Sequence, residues 1–242
     1  MKIEGSAALV TGANRGLGKA YADALLAAGA AKVYAGARDP SLITDNRLIP
    51  VKLDITSSSD VAAASRRCED VSILINNAGI MLMSPMLRDA SDEALRREME
   101  VNVYGLLAMI RAFAPILARN GGGTIANMLS IVSWFVYPFN ATYCASKHAA
   151  LAVSDAARIQ LKSQGTHVVG VYAGLIDTEM ASGYDQPKTV PQQVAERTLE
   201  GIRLGQDHVL ADTSAEEMWR ATRSGPVQLA ATMQQAWDQR VS

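Results

Sequence analysis

Three side chains near the middle of the chain have types and spacings that suit proton transfer to an oxygen atom. They are Ser130, Tyr143 and Lys147, in the stretch L-S-I-V-S-W-F-V-Y-P-F-N-A-T-Y-C-A-S-K. The four-residue step from Tyr143 to Lys147 predicts that both lie on one helix face, one turn apart. A phenol, whose ordinary pKa is about 10, ionises at neutral pH only if its anion is stabilised, which a nearby ammonium group does. A serine hydroxyl from another segment can hold an oxygen that gains charge.

Alternatives exist for each of these residues. A bare Y-x-x-x-K pattern is common, and its simplest alternative is a surface tyrosine and lysine on an amphipathic helix. Ser133 is a second candidate for the serine, although it lies only ten residues before Tyr143. The elements that would position these side chains therefore decide the interpretation.

Short apolar runs alternate with longer helical patterns along the chain. The runs are continuously apolar, which is typical of strands buried on both faces of a parallel sheet. Strands are predicted at Ala7–Val10, Lys32–Gly36, Leu48–Leu53, Ser72–Asn76, Thr124–Leu129, His167–Tyr172 and His208–Ala211. Helices are predicted at Gly16–Ala28, Ser58–Cys68, Asp92–Arg119, Thr142–Gln164 and Gln192–Leu204, with one more from Val227. This order predicts a doubly wound α/β fold with a seven-stranded, parallel, Rossmann-type sheet.

The crossover between the second and third predicted strands is unusually short. Only residues 38–47 remain for it, whereas a parallel crossover usually needs about a dozen residues or more. Pro40 also disfavours a full helix, so a loop or a single helical turn is predicted. No repeat or linker divides the chain. Residues 1–242 are therefore predicted to form one domain, with residues 213–242 as a helical C-terminal tail.

Composition limits the classes of function. Of 242 residues, 49% are hydrophobic and 19% charged, which favours a large core over disorder. The net charge of −1 does not favour nucleic acid or a membrane surface as a partner. No apolar run reaches the length of a membrane span, and the N-terminus lacks the pattern of a signal peptide. Cys68 and Cys144 fit no disulfide or metal pattern, so a cytoplasmic location is expected.

No metal site is predicted. The three histidines, His148, His167 and His208, have no second ligand at metal spacing. They are interpreted as structural residues.

The segment T-G-A-N-R-G-L-G follows the first predicted strand and opens the first predicted helix. Gly12, Gly16 and Gly18 permit a tight turn and let backbone N–H groups approach a pyrophosphate. The helix N-terminus adds partial positive charge. The spacing G-x-x-x-G-x-G differs from the general G-x-G-x-x-G fingerprint, and glycines also occur in such turns for steric reasons alone. The strand before and the helix after favour dinucleotide binding.

Cofactor choice is expected at the end of the second strand. NAD binders usually carry an acid about 20 positions beyond the glycines, which binds the ribose 2′-hydroxyl. In V-Y-A-G-A-R-D-P, Ala37 and Arg38 occupy that place. Arg38 can hold a 2′-phosphate with two hydrogen bonds, helped by Arg15. The alternative is a solvated Arg38, with Asp39 binding the ribose. The sequence favours NADP(H) over NAD(H).

From Ser6 to Ala211 the chain resembles the short-chain dehydrogenase/reductase family, in its compact single-domain branch. Five motifs carry the resemblance, and they follow one another in the family's order. They are the glycine turn, N-N-A-G at Asn76–Gly79, V-N-V-x-G at Val101–Gly105, Ser130, and Y-x-x-x-K. Each motif is modest alone, whereas five in sequence are highly specific.

The resemblance implies a role for each matching residue. Tyr143 would be the acid/base, Lys147 its electrostatic partner and a ribose ligand, and Ser130 the donor to the substrate oxygen. Asn102 would support a water that leads from Lys147 to solvent. The implied cofactor contacts are Gly12, Asn14, Arg15, Gly16, Leu17, Gly18, Ala37, Arg38, Tyr143, Lys147, Gly174 and Ile176, with Asp54 and Ile55 at the adenine, Asn77, Ala78 and Gly79 beside the ribose, and Thr178 at the nicotinamide carboxamide.

Two departures from the family pattern affect the site and the assembly. The usual proline before Gly174 is Ala173, which predicts a less rigid loop over the nicotinamide. Many relatives end soon after the last strand in a segment used for tetramer contacts, whereas this chain continues through Thr213–Ser242. The tail is expected to obstruct that interface. A homodimer is therefore predicted, paired through the two long helices.

The substrate is weakly encoded. The resemblance places near the reacting carbonyl Met81, Met83, Ile131–Phe139, Ala173–Leu175 and Met180–Tyr184. Their aromatic and methionine side chains predict an apolar, adaptable pocket, with packing in the core or at a dimer face as the alternative. The polar segment Met180–Gln193 is predicted to be a mobile lid.

These features together predict an NADPH-dependent reductase of an apolar ketone or aldehyde. The first alternative is an NAD-dependent alcohol dehydrogenase, and the second is a non-catalytic dinucleotide-binding regulator. The intact set of Ser130, Tyr143, Lys147 and Asn102 argues against the regulator, which would not require it.

Overall fold

The computed structural model describes residues 1–88 and 91–241, without the side chains of residues 240 and 241. Its seven strands are β1 (Ala7–Thr11), β2 (Lys32–Ala37), β3 (Ile49–Lys52), β4 (Ile73–Asn76), β5 (Gly123–Met128), β6 (Thr166–Tyr172) and β7 (His208–Leu210). They form one parallel sheet in the order β3-β2-β1-β4-β5-β6-β7. The predicted seven-stranded Rossmann-type sheet is confirmed. The last residue of the predicted tail, 242, lies outside the described residues.

Helices cover both faces of this sheet. They are α1 (Gly16–Ala27), α2 (Ser58–Arg67), α3 (Ser91–Met99), α4 (Leu106–Arg119), α5 (Ala141–Leu161), α6 (Pro191–Leu204), α7 (Thr213–Ser224) and α8 (Pro226–Val241). Helices α1 and α6 enclose one apolar core, which contains Val10, and helices α2, α4 and α5 enclose a second, which contains Leu9. Successive strand residues point to opposite faces, so a strand between two cores must be apolar throughout.

The strand order places a crevice where the site is expected. The sheet grows outward in both directions from the neighbouring strands β1 and β4. In open α/β sheets, ligands bind at the carboxyl ends of the strands where the order reverses in this way. The glycine turn after β1 and the Asn77–Gly79 segment after β4 therefore lie at the expected crevice.

The short crossover between β2 and β3 contains a single 3₁₀ turn, Pro40–Leu42, as the sequence predicts. Asp39 caps this turn: its Oδ1 accepts from the Ser41 backbone N–H at 3.0 Å and from the Ser41 hydroxyl at 2.6 Å. Both hydrogen bonds lower the pKa of the Asp39 carboxyl. The carboxylate thus has a local structural partner.

The long predicted helix at Asp92–Arg119 is interrupted by a π-helical turn, Glu100–Gly105. This whole stretch, Ser91–Arg119, is also long and apolar enough to cross a membrane by length and composition. The expectation that no segment meets that criterion is wrong. Half of its most apolar window is buried inside the protein, however, and a core helix passes the same test. The criterion alone therefore assigns no membrane role.

The C-terminal tail folds back over the protein as α7 and α8. Sequence patterning predicts only the second of these helices, from Val227. Asp212 caps the start of helix α7: its Oδ1 accepts from the Ala215 N–H at 2.8 Å. Trp219 on α7 packs edge-on against Trp134, with ring centres 5.0 Å apart, which fixes the tail beside the loop after β5.

Candidate active site

Helix α5 brings Tyr143 and Lys147 together, as their spacing predicts. The Lys147 Nζ atom lies 5.6 Å from the centre of the Tyr143 ring. Lys147 is only 6% exposed, and its Nζ donates to the Met128 carbonyl oxygen at 2.8 Å. Burial lowers the pKa of Lys147 to about 8, because a charged ammonium is disfavoured away from water. Its charge therefore depends on pH near the physiological range.

Ser130 reaches the same point from the end of β5. Its side chain lies close enough to that of Tyr143 to lower the pKa of the phenol. Ser133 is turned inward instead, 1% exposed, and its Oγ accepts from the Ser130 backbone N–H at 3.2 Å. The rival serine thus closes the 3₁₀ turn Ile131–Ser133, which leaves Ser130 as the serine beside the phenol.

Opposing influences act on the Tyr143 phenol. Burial raises its pKa, and the nearby Ser130 hydroxyl lowers it. Burial has the larger effect, so Tyr143 is protonated at neutral pH. The residue is half-buried. In this state the phenol is a proton donor beside a serine hydroxyl.

Glu98 on α3 is a buried carboxyl close to these groups that sequence reasoning missed. It is 0% exposed, and its Oε1 accepts from the Leu82 N–H at 2.7 Å. Burial raises the pKa of Glu98, and a charge on this group raises the pKa of Tyr143 in turn. No local pattern marks Glu98, because helix α3 is otherwise strongly polar.

Asn102 lies in the π-helical turn and holds the segment after β4. Its Oδ1 accepts from the Ile80 N–H at 2.9 Å, and its Nδ2 donates to the Ile80 carbonyl oxygen at 2.9 Å. The same Nδ2 donates to the Ser146 hydroxyl at 2.9 Å. Turns of this kind are frequent at functional sites. A side chain added at Gly79 would meet Asn102 Oδ1 at 3.0 Å and Lys147 Nζ at 3.9 Å, so the three residues converge.

The glycine turn has the shape of an anion cradle. Gly12 and Gly16 adopt φ values of +67° and +53°, which favour glycine. A Cβ at Gly18 would lie 2.0 Å from the Gly12 carbonyl oxygen, so only glycine fits there. Arg15, the residue before helix α1, makes no side-chain cap, which leaves the first N–H groups of the helix available to a phosphate. Asn14 and Leu17 belong to the same turn.

Thr11 ties the glycine turn to the segment after β4, a role that the sequence did not suggest. Its Oγ1 accepts from the Asn77 and Ala78 N–H groups, each at 3.0 Å. Asn77 Nδ2 donates in return to the Thr11 carbonyl oxygen at 2.9 Å. The predicted ribose segment, Asn77–Gly79, is thereby fixed beside the predicted pyrophosphate turn.

The predicted adenine end lies at the carboxyl ends of β2 and β3. Ala37 is 3% exposed, whereas Arg38 is exposed to solvent. Hydrogen bonds from Thr56 lower the pKa of Asp54, and the positive charge of Arg38 adds to that effect. Ile55 is buried beneath this edge. A guanidinium thus stands where a ribose-binding acid would be.

The segment after β6 completes the crevice. Gly174 N donates to Asp212 Oδ2 at 2.9 Å, and Asp212 is 2% exposed. This anchor holds the loop although Ala173 replaces the usual proline. Thr178 lies against the glycine turn, because a Cβ at Gly16 would meet its Cγ2 at 3.2 Å. Ile176 pairs with Thr189 in an isolated parallel bridge, which orders part of the predicted lid.

Arg15 and Glu179 form an ion pair between the glycine turn and the loop after β6. Both side chains are exposed. Arg15 must leave Glu179 before it can help to bind a 2′-phosphate. Sequence reasoning missed Glu179, since no spacing relates it to the glycine turn.

The three histidines have ordinary partners. His148 Nδ1 lies 2.8 Å from the Cys144 carbonyl oxygen, His167 Nε2 lies 3.0 Å from Asp207 Oδ1, and His208 Nδ1 lies 3.0 Å from the Tyr172 hydroxyl. Among the described residues, no group of three or more metal-ligating side chains converges.

Comparison with known proteins identifies relatives of this arrangement. A family model described as short chain dehydrogenase matches residues 6–189. A galactitol 2-dehydrogenase from Agrobacterium fabrum is 31% identical over 189 residues, which cover 74% of this chain and 73% of that protein.

Two solved structures are similar over most of their length. The first, a short chain dehydrogenase from Burkholderia cenocepacia in complex with NADP, has a TM-score of 0.93 and 42% identity, covering 96% of this chain and 99% of the other. The second, a 3-ketoacyl-(acyl-carrier-protein) reductase from Brucella melitensis complexed with NADH, has a TM-score of 0.79 and 26% identity, covering 86% and 96%. Both hold a nicotinamide dinucleotide.

Proposed function

The chain belongs to the short-chain dehydrogenase family and is an NAD(P)-dependent oxidoreductase; on that premise, we propose that it uses NADPH to reduce the carbonyl group of an apolar ketone or aldehyde. The observation that carries the proposal is the convergence of Ser130, Tyr143 and Lys147 at the mouth of the crevice. NADPH supplies a hydride when bound. The protein must then bind the substrate oxygen and deliver a proton to it.

Ser130 and Tyr143 divide that work. The Ser130 hydroxyl donates a hydrogen bond to the carbonyl oxygen and holds it beside the phenol. The Tyr143 phenol gives its proton to this oxygen as negative charge develops there. Both side chains lie close to the same point, so a carbonyl oxygen that enters there can meet both hydroxyls.

Lys147 stabilises the tyrosinate that remains. Its ammonium is buried near the ring, where the low dielectric strengthens the attraction between opposite charges. We propose that a water supported by Asn102 returns the proton from solvent through Lys147. The position of Asn102 beside Gly79 and Lys147 supports that path.

The preference for NADPH rests on charge at the adenine end. Arg38 is exposed and free to turn toward a 2′-phosphate, and Arg15 lies at the start of α1 on the same edge. Asp39, the alternative ribose ligand, is engaged with Ser41. The NADP bound to the relative from Burkholderia cenocepacia supports the same preference.

An NAD-dependent alcohol dehydrogenase is the second candidate. It is favoured by the names of the relatives that act on alcohols, galactitol 2-dehydrogenase among them, and by the NADH in the structure from Brucella melitensis. A screen of ketones, aldehydes and secondary alcohols with both cofactors, followed by nicotinamide absorbance, tests the proposal. We expect apolar carbonyl compounds with NADPH to give the highest kcat/KM. Polyol oxidation with NAD⁺ as the best reaction would reverse the order of the two candidates.

We expect kcat/KM for carbonyl reduction to fall as the pH rises through about 8, the pKa of Lys147. The sign follows from the charges: Lys147 is cationic below that pH and neutral above it, whereas Tyr143, whose pKa is raised, keeps its proton. Initial rates across the pH range measure this fall in kcat/KM. In Lys147→Arg the guanidinium stays charged, so the residual activity should not fall as the pH rises through about 8. The same fall in that variant would mean that another group titrates.

We propose a homodimer. Tyr104 in the π-helical turn and Ile159 on α5 are 59% and 76% exposed, and both lie on the two long helices predicted to pair, where a partner could cover them. Sedimentation should give a dimer, and Ile159→Glu should weaken it by placing a charge in the contact. A clean tetramer would show that the tail does not obstruct the second interface.

A further inference from the structure

A cavity of about 810 Å³ lies between the C-terminal tail and the body of the protein. Three segments border it and leave it partly open to solvent: residues 85–88, residues 134–138, and helix α8. Its volume falls within the range of small-molecule sites. Sequence patterning predicts a helix from Val227, but neither that pattern nor any family motif gives α8 a part in the site.

The lining of the cavity is apolar and adaptable. Trp134, Phe135 and Trp237 supply flat aromatic surface, and Met86 and Met233 supply flexible side chains that fit ligands of different shape. Arg88 is the single charged side chain among the described lining residues. Such a lining binds a hydrocarbon chain and disfavours a sugar or a phosphate.

The tail that closes the cavity is held by specific contacts. Trp237 on α8 stacks on Phe139, with ring centres 5.1 Å apart and an angle of 27° between the rings. Phe139 in turn lies in the segment between Ser130 and Tyr143. The outer wall of the cavity is thus attached to the loop that carries the reacting groups.

Both inner walls are close to Tyr143. Residues 134–138 lie between Ser130 and Tyr143 in the chain. Residues 85–88 follow Ser84, whose carbonyl oxygen accepts from the N–H and the hydroxyl of Thr142, each at 3.2 Å. Tyr184 lies near Tyr143, and its hydroxyl donates to the sulfur of Met83, just before the wall formed by residues 85–88. A chain that starts at the phenol can therefore reach these walls.

We infer that this cavity binds the hydrocarbon chain of the carbonyl substrate, which makes the enzyme selective for long-chain ketones and aldehydes. The inference rests on the proposed carbonyl reduction and adds the class of substrate. The carbonyl group lies at Ser130 and Tyr143, and the chain extends beneath α8. The 97% exposed Leu87 forms an apolar rim where the chain enters.

A series of straight-chain methyl ketones tests the inference. With saturating NADPH, kcat/KM should rise about two- to fourfold for each added methylene, the gain expected when that group is buried. Between butanone and decan-2-one the rise should reach at least ~50-fold. A flat series would overturn the inference.

Two substitutions on α8 should move this dependence in opposite directions. Ala230→Trp fills the cavity and should lower the ratio of kcat/KM for decan-2-one to that for butanone at least ~10-fold. Met233→Ala enlarges the cavity and should shift the preference toward longer ketones. Opposite shifts cannot come from a general loss of folding. Ala231→Trp is the matched control, because Ala231 neighbours Ala230 on the same helix and is equally exposed but does not line the cavity; its ratio should equal that of the wild type.

A binding measurement separates failure of this inference from failure of the proposed reaction. Trp134 and Trp237 line the cavity, so decan-2-one should change the tryptophan fluorescence in the presence of NADP⁺ saturably, and Ala230→Trp should abolish that response. If neither cofactor supports reduction of any ketone, the proposed function fails. The fluorescence titration alone then decides whether the cavity binds a hydrocarbon chain. No saturable response in the wild type would overturn it. Ala230→Trp could also change the sedimentation of the protein and leave the ratio of kcat/KM for decan-2-one to that for butanone unchanged. That result would overturn the inference, because the cavity would then belong to a contact between copies of the chain.

Discussion

We expect Tyr143→Phe to lower turnover by at least ~10²-fold, the usual scale for a positioned acid or base. The substitution removes the proton that the substrate oxygen must receive and keeps the ring. Because the ring still packs beside Lys147, binding of the cofactor should be largely retained. Steady-state rates with an apolar ketone and NADPH measure the loss, and titration of NADPH measures the binding.

Tyr34→Phe is the matched control for this experiment. Tyr34 lies on β2, is buried, and its hydroxyl donates to Asp70 Oδ1 at 2.9 Å. It loses the same hydroxyl at a position that takes no part in the proton transfer, so its turnover should stay close to that of the wild type. Near-normal turnover in Tyr143→Phe, or an equal loss in Tyr34→Phe, would remove Tyr143 from the mechanism.

The second large effect that we expect is a reversal of cofactor preference in the double variant Ala37→Asp with Arg38→Leu. A charge-assisted contact between a guanidinium and a phosphate is worth ~1.5–3 kcal/mol, a factor of about ten to a hundred in affinity. Arg38→Leu removes this contact, and the new aspartate binds the ribose of NAD and repels the 2′-phosphate of NADP. Values of kcat/KM for the two cofactors measure the change.

The burial of Ala37 adds a consequence for this variant. A carboxylate at a position only 3% exposed is costly without a partner, so the variant should be less stable when no cofactor is bound. NAD⁺ should restore much of its thermal stability, since the ribose hydroxyls provide the partner. The single variants separate the two contributions, and Arg38→Lys separates the charge from the planar geometry. If the wild type already prefers NADH, Arg38 is a solvated residue, and an NAD-dependent alcohol dehydrogenase becomes the better supported function.

Sequence patterns predicted correctly those features that depend on interactions between neighbouring residues. The period of the apolar residues marked the strands and helices, and the step from Tyr143 to Lys147 placed both on one helix turn. Pro40 and the short chain around it predicted the missing crossover helix. In each case the cause lies within a few neighbouring residues.

Contacts between distant segments could not be predicted in this way. Asp212 binds Gly174 across a separation of 38 residues, and the ion pair of Arg15 with Glu179 joins two loops that no spacing relates. Glu98 stands in a polar helix and is nevertheless buried against the segment after β4. The choice of Ser130 over Ser133 likewise depends on how the turn after β5 packs on α5.

The apolar residues of the tail illustrate the same limit. Composition indicated aromatic side chains between Ser130 and Tyr143, but not that Trp237 would cover them from the other end of the chain. The cavity beneath α8 arises only when both segments are in place. A sequence pattern could suggest an apolar pocket but not its depth or its walls.

A single-turnover experiment tests the central claim most directly. Enzyme loaded with NADPH is mixed rapidly with an apolar ketone, and the nicotinamide absorbance and the alcohol formed are both followed. We predict that the wild type consumes one NADPH per alcohol, and that Tyr143→Phe, equally loaded, does so at least ~10²-fold more slowly. Equal rates in the two proteins, or no NADPH consumption by the wild type with any carbonyl compound, would contradict the proposed reduction by way of Tyr143.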